Sequence, residues 1–573
     1  MKRKNQKIQL NGEWDFCIID DETMSFPQKY TKKILVPYCP ESELSGIAYK
    51  ERICKCWYKK ELSLQRKKYQ RCFLHIGASD YETVIYINKK YIGRHFGGYT
   101  PIDIDITDFI TENINVLEIC VIDDMRDIKC SGKQTGKEMS YGCFYTRVTG
   151  IWQDVFAEYV PNKRITSIKL YPNVENSSVS IKLKANGNDK VEIRAFFDGR
   201  QVGFVKDLLN YQGEFTLFLE EKHLWEIGQG SLYDIEVLFG EDIVTEKFGL
   251  REVKIEDGKF FLNGKSVFQR LVLDQGYYPD GIYTPETKET FVQDIDRAIA
   301  LGFNGARLHQ KAFDPAYLEE ADKRGFLVWG EYASWGMKYV TTKYLGTFIR
   351  EWDEMIERDF NHPSIICWCP LNEVWNDMDF PEVEPTLAFM EAVYDVTKSL
   401  DNTRPCIDVS GGYHGEKTDV YDYHCYEGLS TFKKYIHELK TEDKLEVKLL
   451  LPKTNPRKYR KGEAVQVSEF GGIRFSTQTK SQVKTVNDGA VQSTEDWGYG
   501  KNANTEKNFV ERYKELVNCM YASKKISGFC YTQLYDVEQE KNGFYTYNRM
   551  SKISQSSIEK IKKINKQKAK IEE

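Results

Sequence analysis

The chain contains no run of about 18 consecutive apolar residues, the length that a membrane-spanning helix needs. It also lacks an excess of either charge, because 81 basic residues stand against 86 acidic ones and the net charge is −5. This balance gives no electrostatic reason to expect nucleic acid or an anionic membrane as a partner. The basic start MKRKNQKIQL is not followed by the apolar segment of a signal peptide. We therefore expect a cytoplasmic protein that binds neither nucleic acid nor a membrane.

Motifs for phosphate and metal binding are also missing. No Gly-rich phosphate loop follows a strand-like run, and the pairs Cys54/Cys56 and Cys367/Cys369 lack the spacing of zinc ligands. Several of the 14 cysteines lie in apolar runs, where a reduced cysteine behaves as a small buried hydrophobe. Asp536 and Glu538 are open to a metal-binding interpretation, but we favour a structural one. The sequence thus predicts no metal ion and no cofactor.

The first 250 residues consist of short alternating runs separated by turn residues. TVIYINKKYIG (83–93) and NVLEICVID (115–123) show this pattern, which is typical of a β-sandwich. Residues 161–250 continue in the same style, with runs such as VSIKLKA (179–185), and their length suits an immunoglobulin-like module. We therefore predict a β-sandwich domain over residues 1–160 and an immunoglobulin-like β-sandwich over 161–251.

From residue 252 onward, strand-like runs alternate with helical patterns of ten to twenty residues. There are eight such runs: VFQRLVL (267–273), GFNGARL (302–308), FLVWG (326–330), IICWC (365–369), PCIDV (405–409), VYDYH (420–424), AVQVS (464–468) and GFCYT (528–532). Eight units favour a (β/α)8 TIM barrel over residues 252–573, with a doubly wound sheet as the competing architecture. The last segment is basic, but Ile558, Ile561 and Ile564 share one helical face, so we predict a final barrel helix and not a nucleic-acid site.

Polar residues crowd the ends of these predicted strands, which is where a barrel carries its active site. They are Asp274, Arg307, His309, Glu331, Asn372, Glu373, Tyr426, Glu469, Gln533 and Asp536. Glu373 and Glu469 follow strands four and seven, which face each other across an eight-stranded barrel. Two carboxylates in one cavity are what glycosidic cleavage requires, one as an acid and one as a nucleophile. Arg307 beside Glu469 would keep that glutamate ionised.

Several motifs occur in an order that resembles glycoside hydrolase family 2 over nearly the whole chain. They are LNGEWDF (10–16), VTGIWQDV (148–155), GFNGARLH (302–309), PLNEVW (370–375) and VSEFGG (467–472). The resemblance implies a jelly-roll, sugar-binding-like β domain, an immunoglobulin-like domain and a catalytic barrel. It further implies a retaining exo-β-glycosidase with Glu373 as acid/base and Glu469 as nucleophile. In that family pattern Asn372 binds the sugar 2-hydroxyl and Tyr426 touches the nucleophile.

The chain departs from the family pattern at positions that bear on substrate choice. After strand one the family's Asn-Lys/Arg-His-Glu run is replaced, so Asp274 and Gln275 are expected to take over part of hydroxyl recognition. Gln310 stands at a histidine position of the family. The Asn-x-Lys run with which glucuronidases of the family bind a uronic carboxylate would fall near residues 540–546, and this chain lacks it there. The aspartate that the sandwich domain extends into the site is missing near Phe144.

Together these features predict a carbohydrate-binding site at the barrel rim. The expected substrate-binding residues are Asp274, Arg307, His309, Asn372, Trp375, Tyr426 and Gln533. Trp375 is either a sugar platform or packing under a loop, and His309 is either a hydroxyl ligand or a rim residue with its hydrogen bonds satisfied within the protein. Family frequency favours a β-galactosidase.

Other functions stay open at this point. Within the family, a β-glucuronidase or an α-L-arabinopyranosidase-type hydrolase is the alternative. A non-catalytic carbohydrate-binding protein on the same fold is the alternative from another class. A metal-dependent enzyme of the enolase type would need three carboxylates on successive strand ends, but the ends of strands five and six offer Ser410 and His424. A homo-oligomer is also compatible with the sequence.

Overall fold

The structure, a computed structural model, describes residues 1–3, 7–19, 23–376, 382–441, 459–475 and 495–573. Within these ranges no helix has both the length and the apolar character needed to cross a membrane. All 14 cysteines are free, and 12 of them are buried. Their burial among apolar side chains matches the expectation that they pack as small hydrophobes.

The N-terminal segment forms two antiparallel sheets that share one core. The six-stranded sheet runs in the order Lys32–Val36, Gly12–Ile18, Lys55–Leu62, Asn115–Ile122, Glu82–Ile87 and Lys90–Phe96. The four-stranded sheet runs in the order Ile102–Asp105, Gln70–Ile76, Val155–Pro161 and Lys7–Gln9. Alternate residues such as Cys72, Leu74 and Ile76 are buried, as expected for strands with one face against a core. Ser79–Asp80 and Gly150–Ile151 form a separate short ladder beside these sheets.

The middle segment is a sheet built around one long hairpin. Its strands are Ile165–Asn173, Ser178–Phe197, Arg200–Phe218, Tyr233–Phe239 and Asp242–Phe248. The 20-residue strand Ser178–Phe197 pairs with Ile165–Asn173 along its first half and with Tyr233–Phe239 along its second. Lys2–Arg3 also joins this sheet, opposite Thr245 and Val244. The segment therefore has its own alternating core and also receives one strand from the start of the chain.

A parallel barrel follows, introduced by a small sheet of Val253–Glu256, Lys259–Leu262 and Lys265–Ser266. Its strands, numbered one to eight along the chain, are Gln269–Asp274, Gly305–Leu308, Leu327–Glu331, Ile365–Cys369, Val409–Gly412, Val420–Cys425, Ala464–Gly471 and Ile526–Thr532. The helices are Glu289–Ala300, Pro315–Arg324, Leu345–Asp359, Leu387–Leu400, Leu429–Thr441, Glu506–Tyr521 and Gln555–Asn565. In the last helix Ile558, Ile561 and Ile564 are buried, which confirms the predicted packing face.

Seven of the barrel strands form one sheet in the order four, three, two, one, eight, seven, six. Strand five joins through Leu371–Val374, an extension of strand four that pairs with it in parallel. The predicted range 405–409 for strand five was wrong, because Cys406 makes only an isolated bridge to Trp368. Pro370 lies between strand four and its extension, and a proline cannot donate to a ladder, so regular pairing starts again only at Val409.

Candidate active site

Arg307 lies at the centre of the barrel rim and is fully buried. Its Nη1 donates to Oε1 of Glu469 at 2.8 Å, and its Nε donates to Oε2 of Glu331 at 2.5 Å. The same guanidinium donates through Nη2 to Oδ1 of Asn372 at 2.5 Å. One side chain from strand two thus fixes polar groups that follow or end strands three, four and seven. A planar fork of donors is well suited to holding several oxygens in one plane.

Glu469, on strand seven, is almost completely buried. Burial alone would raise the pKa of its carboxyl, but four basic side chains, led by His424 and Arg307, hold the pKa well below its usual range. The hydroxyl of Tyr426 donates to Oε2 of Glu469 and lies 3.0 Å from Oγ1 of Thr532. Glu469 is therefore an ionised carboxylate whose two oxygens are both held in place.

Glu373 faces this carboxylate from the extension of strand four and is the more accessible of the two, with its side chain 15% exposed. Its backbone has a φ of 42°, in the left-handed region that is costly for a residue with a Cβ. Its Oε1 lies 2.7 Å from Nδ1 of His424, and the same nitrogen is 3.6 Å from Oε2 of Glu469. His424, from strand six, thus contacts both predicted catalytic carboxylates.

His424 is held from behind by strands five and six. Its Nε2 lies 3.1 Å from Oγ of Ser410, which donates to Asp422 at 3.2 Å. Burial would lower the pKa of His424, but Glu469 and Glu373 outweigh it and raise that pKa. Gly411 passes directly beneath the ring, where an added Cβ would lie 2.6 Å from His424 Cε1. The close packing at this glycine keeps the imidazole against the two carboxylates.

Asn372 carries a polar group without a partner in the described residues. Its backbone N–H donates to Oγ of Ser334 at 3.1 Å, and its Oδ1 accepts from Arg307. Its Nδ2 is buried and has no hydrogen-bond partner in the described part of the chain. An unsatisfied buried amide is costly, so this donor is placed to meet an oxygen that a ligand brings.

The structure brings some of the other predicted binding residues to the same rim. His309 lies with Nδ1 3.0 Å from Oε1 of Glu331, and burial lowers the pKa of its imidazole. Gln533, at the end of strand eight, accepts from Gln275 at 2.8 Å and donates to Asn542 at 2.9 Å. Tyr426 stacks on Tyr499 with ring centroids 3.6 Å apart. His309 and Tyr426 thus lie beside Glu469, and Gln533 follows the neighbouring strand.

Within the described residues, neither Asp274 nor Trp375 hydrogen-bonds to Glu373 or Glu469. Asp274 accepts from the Gly276 N–H at 2.9 Å, and its charged neighbours are Asp294, Arg549 and Lys311. Burial, with Asp294 adding to it, raises the pKa of Asp274 to about 6. Trp375 is half-buried just beyond the extension of strand four. Their predicted role as sugar ligands stays a prediction.

The N-terminal segment also reaches the rim. Lys133 lies with Nζ 3.8 Å from the ring centroid of Trp335, whose Nε1 donates to the backbone oxygen of Asn372 at 2.9 Å. Phe144 packs on the same ring, with centroids 5.2 Å apart. Sequence reasoning missed both His424 and Lys133 as parts of the site. Histidine two residues before Tyr426 was the available signal for the first, and Lys133 carries no local motif.

Two sets of side chains carry atoms that could bind a metal ion. Glu373, His424 and Glu469 offer ligand atoms that all lie within 4.8 Å of one another, close enough to hold a cation. A cation there would occupy both predicted catalytic carboxylates. Asp536 instead pairs with Lys552 at 2.7 Å, and Glu538 accepts from the Thr146 N–H at 3.0 Å. The second pair is thus engaged in contacts within the protein, as the structural interpretation expects.

Residues 253–568 match the family model of the glycosyl hydrolases family 2 TIM barrel domain. The chain belongs to glycoside hydrolase family 2. The match covers the whole barrel, including the Arg307, Glu373, His424 and Glu469 cluster. The eight strands and the polar rim described above are therefore the family's barrel in this chain.

Relatives and solved structures extend the comparison. A β-galactosidase of Thermoanaerobacterium thermosulfurigenes is 28% identical over 416 residues, which are 67% of this chain and 54% of that protein. A putative β-glucuronidase of Formosa agariphila is 26% identical over 418 residues, 68% of this chain and 49% of that protein. The chain thus spans about half the length of these curated relatives. A solved β-D-glucuronidase of Dictyoglomus thermophilum has the same fold, with a TM-score of 0.78, 20% identity and 99% of each chain covered.

Proposed function

We propose that the protein is a retaining exo-β-glycosidase that removes one terminal sugar from the non-reducing end of its substrate. The separation of the two glutamates carries this proposal, because one oxygen of Glu373 and one of Glu469 lie within 4.8 Å of each other. Retaining glycosidases hold their carboxyl groups about 5 Å apart, whereas inverting ones need about 6.5–9.5 Å to admit a water molecule. The observed distance favours double displacement.

The environments of the two glutamates support different roles. Glu469 is buried, ionised and held by Arg307 and Tyr426, which suits a nucleophile at the anomeric carbon. Glu373 is more exposed and contacts one histidine, which suits a group that must exchange protons with a leaving group and then with water. We assign Glu469 as nucleophile and Glu373 as acid/base.

The reaction follows from these positions in two steps. First, a Glu469 oxygen bonds to the anomeric carbon while the bond to the leaving oxygen breaks, and Glu373 gives its proton to that oxygen. Next, Glu373 takes a proton from water, whose oxygen bonds to the same carbon and releases Glu469. Each step inverts the anomeric carbon, so the product keeps the β configuration. Nδ2 of Asn372, which has no hydrogen-bond partner among the described residues, would donate to the sugar 2-hydroxyl.

For the sugar itself we propose β-galactose, with β-glucuronic acid as the second candidate. The wall near residues 540–546 carries Glu540, which accepts from Tyr145 at 2.6 Å and from Asn542 at 2.9 Å. An acidic side chain at this wall disfavours a uronic carboxylate. The second candidate is supported by relatives named β-glucuronidase, which match as large a share of the chain as those named β-galactosidase.

We also propose domain types for the first two segments. The two antiparallel sheets within residues 1–160 would form a jelly-roll, sugar-binding-like domain, and residues 161–251 an immunoglobulin-like one, ahead of the barrel at 252–573. One apolar core cluster is drawn from residues 10–159 and another from residues 165–250. Separate cores support separate domains.

Hydrolysis of a panel of 4-nitrophenyl β-glycosides by the wild type and Glu469→Ala tests the activity. The panel contains the galactoside, glucuronide, glucoside and α-L-arabinopyranoside. We expect one preferred sugar, a loss of at least about 10⁴-fold in kcat for the variant, and the β-anomer as the first product by NMR. Glu463→Ala, at the opposite end of strand seven, serves as the matched control. A wild type without turnover on any substrate would favour a carbohydrate-binding protein instead.

A further inference from the structure

A loop of the N-terminal segment is fixed onto the barrel rim. The Ser131 N–H donates to the Trp335 backbone oxygen at 2.8 Å, and Tyr145 donates to Oε2 of Glu540 at 2.6 Å. From the barrel side, Trp497 Nε1 donates to the Gly142 oxygen at 2.7 Å. We name residues 124–149 the rim loop. These bonds come from three places on the barrel, so the rim loop has a defined position over the site.

Lys133 is a buried residue of the rim loop, with 6% of its surface exposed. Its ammonium rests on the Trp335 ring at 3.8 Å from the centroid. Among the residues that the structure describes, its Nζ has no hydrogen-bond acceptor and no carboxylate oxygen within 4.0 Å. An ammonium carries three donors, and a cation–π contact uses none of them, so they are open to the oxygen atoms of a ligand.

The ammonium is nevertheless charged and close to the two catalytic candidates. Burial alone would lower the pKa of Lys133, but Cys143, Glu373, Glu540 and Glu469 outweigh burial and raise the pKa. Burial raises the pKa of the Cys143 thiol to about 11, so this group is neutral near pH 7. Glu469, which its basic neighbours hold ionised, is therefore an anion that favours the charged form of Lys133. Lys133 is an unpaired cation beside the space where a sugar would lie.

We propose that Lys133 is a specificity-determining residue whose ammonium donates to oxygen atoms of the terminal sugar bound between Glu373 and Glu469. This inference rests on the proposed glycosidase function, because it concerns the same bound sugar. A sugar hydroxyl and a sugar carboxylate share the chemistry that an ammonium recognises, which is an oxygen acceptor. In the family pattern that the chain resembles, the sandwich domain extends an aspartate into the site, and this chain lacks that aspartate near Phe144. The rim loop of this chain would therefore contact the sugar with a positive charge where the family pattern has a negative one.

The test compares Lys133→Met, Lys133→Arg and Lys137→Met with the wild type on 4-nitrophenyl β-galactoside and β-glucuronide. Lys137 lies on the same rim loop, but it is exposed and rests on Tyr141, so its variant is the matched control. We expect Lys133→Met to lower kcat/KM on the order of 100-fold, because a buried donor lost from the substrate is not replaced. Lys133→Arg should recover part of the loss, and Lys137→Met should stay within about twofold. Equal melting temperatures show that the variants fold.

The two substrates distinguish the two kinds of acceptor. A loss confined to the glucuronide identifies the sugar carboxylate, and a loss on the galactoside identifies a hydroxyl. Unchanged kcat/KM in Lys133→Met on the substrate that the wild type prefers would overturn the proposal. If the wild type turns over neither glycoside, the proposed activity has failed, and titration calorimetry with D-galactose and D-glucuronate decides on Lys133. Weaker binding of either sugar by Lys133→Met supports its role, and equal or absent binding rejects it.

Discussion

The two ends of the barrel each bury an arginine, and the two side chains do different things. At the start of strand four, Arg404 donates to the backbone oxygens of Ile365 and Phe360 at 2.8 and 2.7 Å. At the opposite rim, Arg307 donates to the side chains of Glu331, Glu469 and Asn372. An arginine bound to backbone oxygens stabilises the chain's path. An arginine bound to side chains positions groups that a ligand can meet.

Replacing each arginine with methionine should show the difference between the two ends of the barrel most clearly. Arg307→Met removes the cation that Glu331 and Glu469 share, so we expect kcat to fall about 10³-fold and the free energy of unfolding to fall by about 3–5 kcal/mol. Arg404→Met should lower the free energy of unfolding by a similar amount, because Asp401 loses its cation and backbone oxygens such as that of Phe360 lose a donor. The kcat of the folded Arg404→Met protein should stay within about threefold of wild type.

Urea unfolding and steady-state kinetics on the preferred nitrophenyl glycoside measure both quantities. Equal losses of kcat in the two variants would contradict the division between a structural end and a functional end.

Replacing His424 should have the next largest effect on kcat, because this histidine contacts both glutamates. Replacing it by glutamine removes the main cation that lowers the pKa of Glu469. We expect kcat to fall about 100-fold and the acidic limb of the kcat/KM profile to move to higher pH, since the pKa of Glu469 rises. His437→Gln, on the exposed side of the helix after strand six, is the control. A profile that keeps its shape in His424→Gln would contradict this role.

His414 lies behind the rim and provides a further example of a buried charged side chain with a structural role. Its Nδ1 lies 3.0 Å from Asp408 and its Nε2 3.1 Å from Asp422. Burial would lower the pKa of His414, but the two aspartates raise it from 6.5 to about 10. A raised folded-state pKa means that the stabilisation is complete below about pH 6.5 and is lost as pH rises toward 10.

We expect a difference on the order of 4 kcal/mol in the free energy of unfolding between wild type and His414→Gln at pH 6. It should shrink as the pH rises toward 10. Urea unfolding between pH 6 and 10 measures this difference. A gap that does not depend on pH would show that the imidazole is neutral in the folded protein.

The smallest expected effect concerns Asp274, which ends strand one and has Asp294, Arg549 and Lys311 as charged neighbours. Because Asp274 makes no hydrogen bond to Glu373 or Glu469 within the described residues, Asp274→Asn should leave kcat/KM within about threefold of wild type. A loss of 30-fold or more with unchanged folding would show that Asp274 meets the substrate after all.

The barrel and its rim could be predicted in large part because local signals carry them. Each strand is a short apolar run, and polar residues such as Arg307 and Glu469 end or closely follow their runs. Register inside a run is less well encoded, as strand five shows, where an apolar start at Cys406 is buried without forming a ladder. The direction of a strand-end side chain also depends on one residue of alternation, so the role of Asp274, which ends strand one as expected, stays a prediction.

Contacts between distant parts of the chain escaped sequence reasoning altogether. Lys133 is one lysine in a loop of ordinary composition, and only the bonds that fix that loop to the barrel bring it to the site. His424 likewise gains its importance from the approach allowed by Gly411 and from the facing glutamates. Neither feature has a spacing rule that a single sequence reveals.

The attachment of the rim loop to the barrel has a consequence for how such proteins diversify. The groups proposed to break the glycosidic bond lie on barrel strands, while part of the pocket wall belongs to a different stretch of the chain held by bonds such as Trp497 to Gly142. Exchanging residues 124–149 between relatives would therefore alter what is recognised without altering how the bond is cleaved. Selectivity and chemistry can be inherited, lost or engineered as separate traits.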